Sequence, residues 1–132
     1  MLTTFDNGDE PVRLAVIGAG TWGSVLAHIA APCAQVSLYS ATGKNVQALL
    51  QDRRHPKLPG FILDPRVEVK STMGEELREA SAVILVVASC YVRDMARQIA
   101  SLIQPDAVVC REVPRRFPRS WPKSFLKRTF AF

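Results

Sequence analysis

Gly18-Ala19-Gly20-Thr21-Trp22-Gly23 follows the β-prone run Val12-Arg13-Leu14-Ala15-Val16-Ile17. It opens a segment, Thr21 to Ala30, in which Trp22, Val25, Leu26 and Ile29 recur at helical spacing. Strand, glycine turn and helix in that order form the context in which GxGxxG signals a dinucleotide site. The spacing gives each glycine its own task. Gly18 is expected to permit the tight turn off the strand, Gly20 to let a pyrophosphate approach bare backbone, and Gly23 to let the helix lie close to the sheet. The helix N-terminus adds unpaired N–H groups and the positive end of its dipole.

Downstream, residues 35–39 read as a second strand after Pro32, completing a βαβ unit. Asn45 to Arg53 reads as a helix with Val46, Leu49 and Leu50 on one face, and 54–66 as a loop. Arg66 to Lys70 alternates as a third strand, and Thr72-Met73-Gly74-Glu75 has the capping-box spacing that opens a short helix through Ala80. The unbroken apolar run Ala82 to Ala88 predicts a central parallel strand buried on both faces. Val92, Met95, Ala96, Ile99 and Ile103 mark another amphipathic helix, and Ala107-Val108-Val109-Cys110 begins a fifth strand. The alternation predicts an α/β fold: a Rossmann-type open parallel sheet of about five strands, with helices on both faces and no second domain. Its ligand crevice should lie at the carboxyl ends of the strands.

With 132 residues, 48% of them hydrophobic and 22% charged, the chain can bury one domain's core, and disorder is excluded as the leading reading. No apolar run reaches the length of a membrane span, and Met1 to Glu10 lacks the pattern of a secretory signal, so the expected compartment is the cytoplasm. Cys33, Cys90 and Cys110 are odd in number and widely spaced, which argues against a disulfide framework or a metal site and for buried free thiols. The charge is uneven: residues 1–110 hold 10 Lys and Arg against 11 Asp and Glu, whereas 111–132 hold 7 against 1. The expected organisation is a flexible lead over 1–11, a partial dinucleotide-binding domain over 12–110, and a basic, irregular Pro/aromatic tail over 111–132.

An acidic residue at the end of the second strand would hold the ribose 2′-hydroxyl of NAD. Here the stretch is Leu38-Tyr39-Ser40-Ala41-Thr42-Gly43-Lys44, with no carboxylate. Ser40 and Thr42 could donate hydrogen bonds and Lys44 could neutralise a 2′-phosphate, which tilts the choice between NAD and NADP towards NADP. His28 reads as a packed or surface imidazole and His55 as a loop residue on the cofactor side. Asp94 and Arg97 read as a solvated helix face.

The stretch Arg13 to Ser24, with Thr21-Trp22 in the two variable slots of the glycine motif, resembles the opening of the NAD(P)-dependent glycerol-3-phosphate dehydrogenases. His55-Pro56-Lys57-Leu58-Pro59-Gly60 resembles that family's Asn-x-x-aromatic-Leu-Pro-Gly loop, and Ile84 to Ser89 its buried strand ending in Val-Pro-Ser. The resemblance implies that the full-length enzyme reduces dihydroxyacetone phosphate to glycerol 3-phosphate, a route into phospholipid synthesis. It implies that Thr21 and Trp22 contact the cofactor and that Ser89 lies near the switch-point crevice; together with the glycine turn and the end of the second strand, the expected cofactor-binding residues are Gly18, Ala19, Gly20, Thr21, Trp22, Gly23, Ser40, Ala41, Lys44 and Ser89. There are departures. The loop lacks the aromatic before Leu58, Ala88 replaces the proline, and Ala41 stands where a polar contact is usual. After Cys110 the family's Ser/Thr-Lys-Gly motif gives way to Arg111-Glu112-Val113-Pro114.

Hydride transfer to a ketone needs a proton donor and a cationic grip on the phosphate. Neither is placed by residues 12–110, so the chain is expected to bind nicotinamide dinucleotide without a catalytic residue, a bound substrate or turnover of its own. The tail is expected to be an out-of-frame or truncated end. An unfinished sheet would then favour oligomers or aggregates. Two competing readings are a stand-alone dinucleotide-binding or sensing module, and a nucleic-acid or membrane-surface binder working through the tail's interleaved Arg, Lys and aromatic residues.

Overall fold

The computed structural model describes residues 12–40 and 42–111. The lead over 1–11, Ala41 and the tail from Glu112 onward lie outside the described residues. Five strands, β1 (Arg13–Ile17), β2 (Gln35–Tyr39), β3 (Glu68–Lys70), β4 (Ala82–Leu85) and β5 (Val108–Arg111), form one parallel sheet in the order β3-β2-β1-β4-β5. The chain steps outward from β1 to β2 and β3, then crosses back to lay β4 and β5 on the other side. The direction of winding therefore reverses between β1 and β4, and that switch point is where such sheets open a crevice.

Strand alternation sorts the apolar side chains onto two faces. Val16 of β1 and Val36 and Leu38 of β2 meet α1 (Thr21–Ala30) and α2 (Val46–Asp52) through Ala27, Ala31 and Leu49. Ala15 and Ile17, with Val83, Leu85 and Val109, meet α3 (Val92–Ala100) through Val92, Met95 and Ile99. Helices thus cover both faces, as the periodicity predicts. At β4 and β5 the burial is one-sided. Val83, Leu85 and Val109 are buried, whereas Ile84 is half-buried and Val108 and Cys110 are exposed on the opposite face.

Several sequence expectations are corrected. The apolar run at 82–88 is a strand only to Leu85, and only one of its faces is fully buried. Its neighbour β1 ends at Ile17; the Val86 N–H still donates to Ile17 O at 2.8 Å, but beyond that no ladder remains. Residues 66–67 belong to a turn in which the Val67 N–H donates to Asp64 O, so β3 starts at Glu68. Thr72 caps nothing. Gly74 takes the cap position, and a five-residue 3-10 turn, Glu75–Glu79, replaces the expected helix because β4 follows almost at once. The cysteines are free but not buried: Cys33 is half-buried in the α1–β2 connection, and Cys90 and Cys110 are exposed. Arg111, read as the first residue of the tail, closes β5 in register with Leu85.

Candidate functional site

The glycine turn sits at the carboxyl end of β1, beside the first residues after β4. Gly18 has φ +125°, and a Cβ on it would lie 2.1 Å from the Val86 carbonyl oxygen. A Cβ on Gly23 would lie 1.8 Å from Gly18 O. These two glycines are demanded by the protein's own packing, one by backbone conformation and close approach, the other by the seating of α1 on the turn.

Gly20 differs. A Cβ there would meet nothing within 4 Å, its φ of −77° suits any residue, and it faces solvent. No contact within the described residues explains a glycine at this position, but an outside ligand pressed against the backbone would. Gly20 is also the N-cap of α1, which carries no side-chain cap and no acidic residue in its first turn. The opening N–H groups of a ten-residue helix therefore stand at the carboxyl end of β1 with no carboxylate in their own first turn. This donor set, with room for close approach, fits the diphosphate of a dinucleotide.

The other predicted residues lie around this turn. Thr21 and Trp22 are exposed on the first turn of α1, Trp22 by 46%. Ala19 is buried. Ser40, at the end of β2, is buried and donates its hydroxyl proton to Lys44 O at 3.1 Å, while the Lys44 side chain is exposed. Ser89 is exposed at the start of a 3-10 turn, Ser89–Tyr91, in the loop after β4. Ala41 lies outside the described residues. The glycine turn itself is tied into the sheet by the Gly18 N–H donating to Tyr39 O at 2.7 Å.

His28 is a packed imidazole, as expected: its Nδ1 accepts from the Asp64 N–H at 3.0 Å and its ring meets Phe61 edge-on. Asp64 in turn accepts hydrogen bonds from Arg66, which hold its carboxyl far below the usual carboxylate range. His55 is only 3% exposed, with Nε2 3.2 Å from Ala19 O. Asn45, singled out by no sequence motif, donates from Nδ2 to the same oxygen at 3.0 Å. An Asn just before a helix ordinarily reads as an N-cap. Here it has φ +67° and caps nothing, which frees its amide to reach across to the glycine turn.

The family model described as the N-terminus of NAD-dependent glycerol-3-phosphate dehydrogenase matches residues 13–112. Among curated proteins, the glycerol-3-phosphate dehydrogenase [NAD(P)+] of Frankia casuarinae is 40% identical over 98 residues, covering 73% of this chain and 29% of that protein. The second such enzyme of Lactobacillus delbrueckii subsp. bulgaricus is 29% identical over 104 residues, covering 78% and 31%. Among solved structures, the glycerol-3-phosphate dehydrogenase of Coxiella burnetii superposes with a TM-score of 0.70 at 20% identity, over 76% of this chain and 32% of that one. The 3-hydroxyacyl-CoA dehydrogenase of Archaeoglobus fulgidus, at TM-score 0.61 and 22% identity over 78% and 34%, has the same fold. The chain spans about a third of the length of the curated relatives it matches.

Proposed function

Starting from the chain's membership of the NAD-dependent glycerol-3-phosphate dehydrogenase family, whose N-terminal, NAD-binding domain it carries, we propose that the crevice between β1 and β4 holds a nicotinamide dinucleotide for reduction of dihydroxyacetone phosphate to glycerol 3-phosphate. When bound, the nicotinamide supplies the hydride. The chain's own residues bind and orient. Gly20 admits the diphosphate, the first-turn N–H groups of α1 offset its charge, and Thr21, Trp22 and Ser89 border the crevice. The observation that carries this reading is the contrast among the glycines: Gly18 and Gly23 are fixed by internal packing, and Gly20 alone of the three leaves open space.

The β2 end favours tolerance of a 2′-phosphate, so NADP is proposed to bind at least as well as NAD. Residues 38–44 contain no carboxylate to repel it, the Ser40 proton is committed to the chain, and the exposed Lys44 is left as the charge contact. Three free cysteines support a reducing, cytoplasmic setting. Among the described residues no helix is long and apolar enough to cross a membrane. The one-sided burial at β4 and β5 supports self-association through that flank.

Titration calorimetry of the 132-residue chain with NADH and NADPH tests the proposal. Binding of both, with NADPH no weaker, is the expected result. Flat titrations of folded protein would remove it. The same chain is expected to give no turnover of dihydroxyacetone phosphate, because Arg111-Glu112-Val113-Pro114 stands where the family's lysine motif would begin.

A further inference from the structure

Two loops distant in sequence converge on one backbone atom of the glycine turn, the carbonyl oxygen of Ala19. Asn45, at the start of α2, donates to it from Nδ2 at 3.0 Å, and the ring of His55 lies against it at 3.2 Å. The Lys57 N–H donates to His55 Nδ1 at 3.1 Å, so Nδ1 is the acceptor nitrogen. The proton of the neutral ring is therefore on Nε2, and His55 donates to Ala19 O as well. Both lone pairs of that carbonyl are occupied.

The peptide between Ala19 and Gly20 is trans, so its N–H points opposite to its C=O. With the carbonyl drawn towards Asn45 and His55, the Gly20 N–H is turned the other way, and among the described residues no backbone carbonyl accepts from it. The loop that carries His55 is itself held at its base. The Leu63 N–H donates to Arg53 O at 2.7 Å, and the Arg53 guanidinium donates to Asp64 O and Val67 O at 2.9 and 2.5 Å. A histidine buried to this degree with both nitrogens engaged is a fixed part, not a mobile one.

We propose that Asn45 and His55 are positioning residues for the dinucleotide: by gripping the Ala19 carbonyl they aim the Gly20 N–H at the diphosphate. This rests on the reading of the crevice as a dinucleotide site. Neither side chain needs to touch the ligand. Their effect is transmitted through one peptide plane that would otherwise rotate at the cost of presenting a carbonyl, with its partial negative charge, to a phosphate.

The test is NADH titration of the full chain and three variants, with thermal melting and the ¹H–¹⁵N resonance of Gly20 recorded for each. Asn45→Gly keeps the positive φ and removes the donor. His55→Leu removes the ring donor, and His55→Gln restores a donor at the reach of Nε2. The expected result is weakening by roughly tenfold for Asn45→Gly and for His55→Leu, near-complete recovery in His55→Gln, and a displaced Gly20 amide resonance in the two weakened variants before any ligand is added. Wild-type affinity in folded Asn45→Gly and His55→Leu would overturn the positioning role and leave the dinucleotide site standing. Equal weakening in His55→Leu and His55→Gln, with Gly20 unmoved, would reduce His55 to a packing residue and overturn the proposal. No binding by the wild-type chain would remove the dinucleotide reading itself, and this inference with it.

Discussion

The carboxyl end of β1 and the flank formed by β4 and β5 are built to different standards. At the first, each residue is constrained by a named neighbour: Val86 O and Gly18 O leave no room for a Cβ on Gly18 and Gly23, and Asn45 and His55 bond Ala19 O. At the second, Val109 and Leu85 are buried under α3 while Val108 and Cys110, on the opposite face of the same strand β5, are exposed. The contrast shows where this sequence concentrates its constraint. The glycine turn is determined atom by atom, and the outer strands are determined on one side only.

The largest effect should come from crowding the turn. Gly23→Ala places a methyl 1.8 Å from Gly18 O, so α1 must lift from the sheet; a loss of about 3 kcal/mol or more in chemical denaturation, together with loss of NADH binding, is expected. Gly20→Ala separates the two roles. Its methyl meets no atom of the described residues within 4 Å, so the melting temperature should drop only by the modest cost of Ala at an N-cap while NADH affinity falls on the order of tenfold or more. An unchanged affinity would show that the crevice does not take a diphosphate at Gly20.

On the flank, adjacent residues should behave unlike one another. Val109→Ala, beneath α3, is expected to cost about 2 kcal/mol, and Val108→Ala, 46% exposed, no more than about 0.5 kcal/mol, both read from urea melts. Equal costs would mean that the second face of β5 is covered in solution. An effect absent at neutral pH and confined to alkaline solution concerns Tyr39 at the end of β2. Burial, and then the negative charge of Glu76, push its phenol up to about 12. The unfolded chain sheds this proton first, near the ordinary tyrosine value of about 10, so Tyr39 should erode stability as pH rises from there through about 12. Tyrosinate absorbance in wild type and Tyr39→Phe would resolve the step.

The fold was legible in the sequence because strand and helix periodicities alternate cleanly, and the glycine motif falls between the first two elements. Strand ends were less legible. Whether residues 86–88 extend β4 depends on where β1 stops, which is a property of the neighbour and not of the apolar run. The open face of β5 escaped notice for a related reason: Val108 and Cys110 are as apolar as Val109, and only the placement of the helices separates them. The glycines of the site could be read directly. Asn45 and His55 could not be joined to them, since 26 and 36 residues separate each from Ala19, and their meeting at one carbonyl is a product of the tertiary fold.

The bonds from Gly18 N–H to Tyr39 O and from Val86 N–H to Ile17 O tie the glycine turn and the end of β4 to their neighbouring strands. Both amides are the last rungs of their ladders, so both should exchange with deuterated solvent more slowly than the loop amides beyond them. The receptor surface would then be present, already assembled, in every folded molecule, and a ligand arriving there would meet no conformational delay.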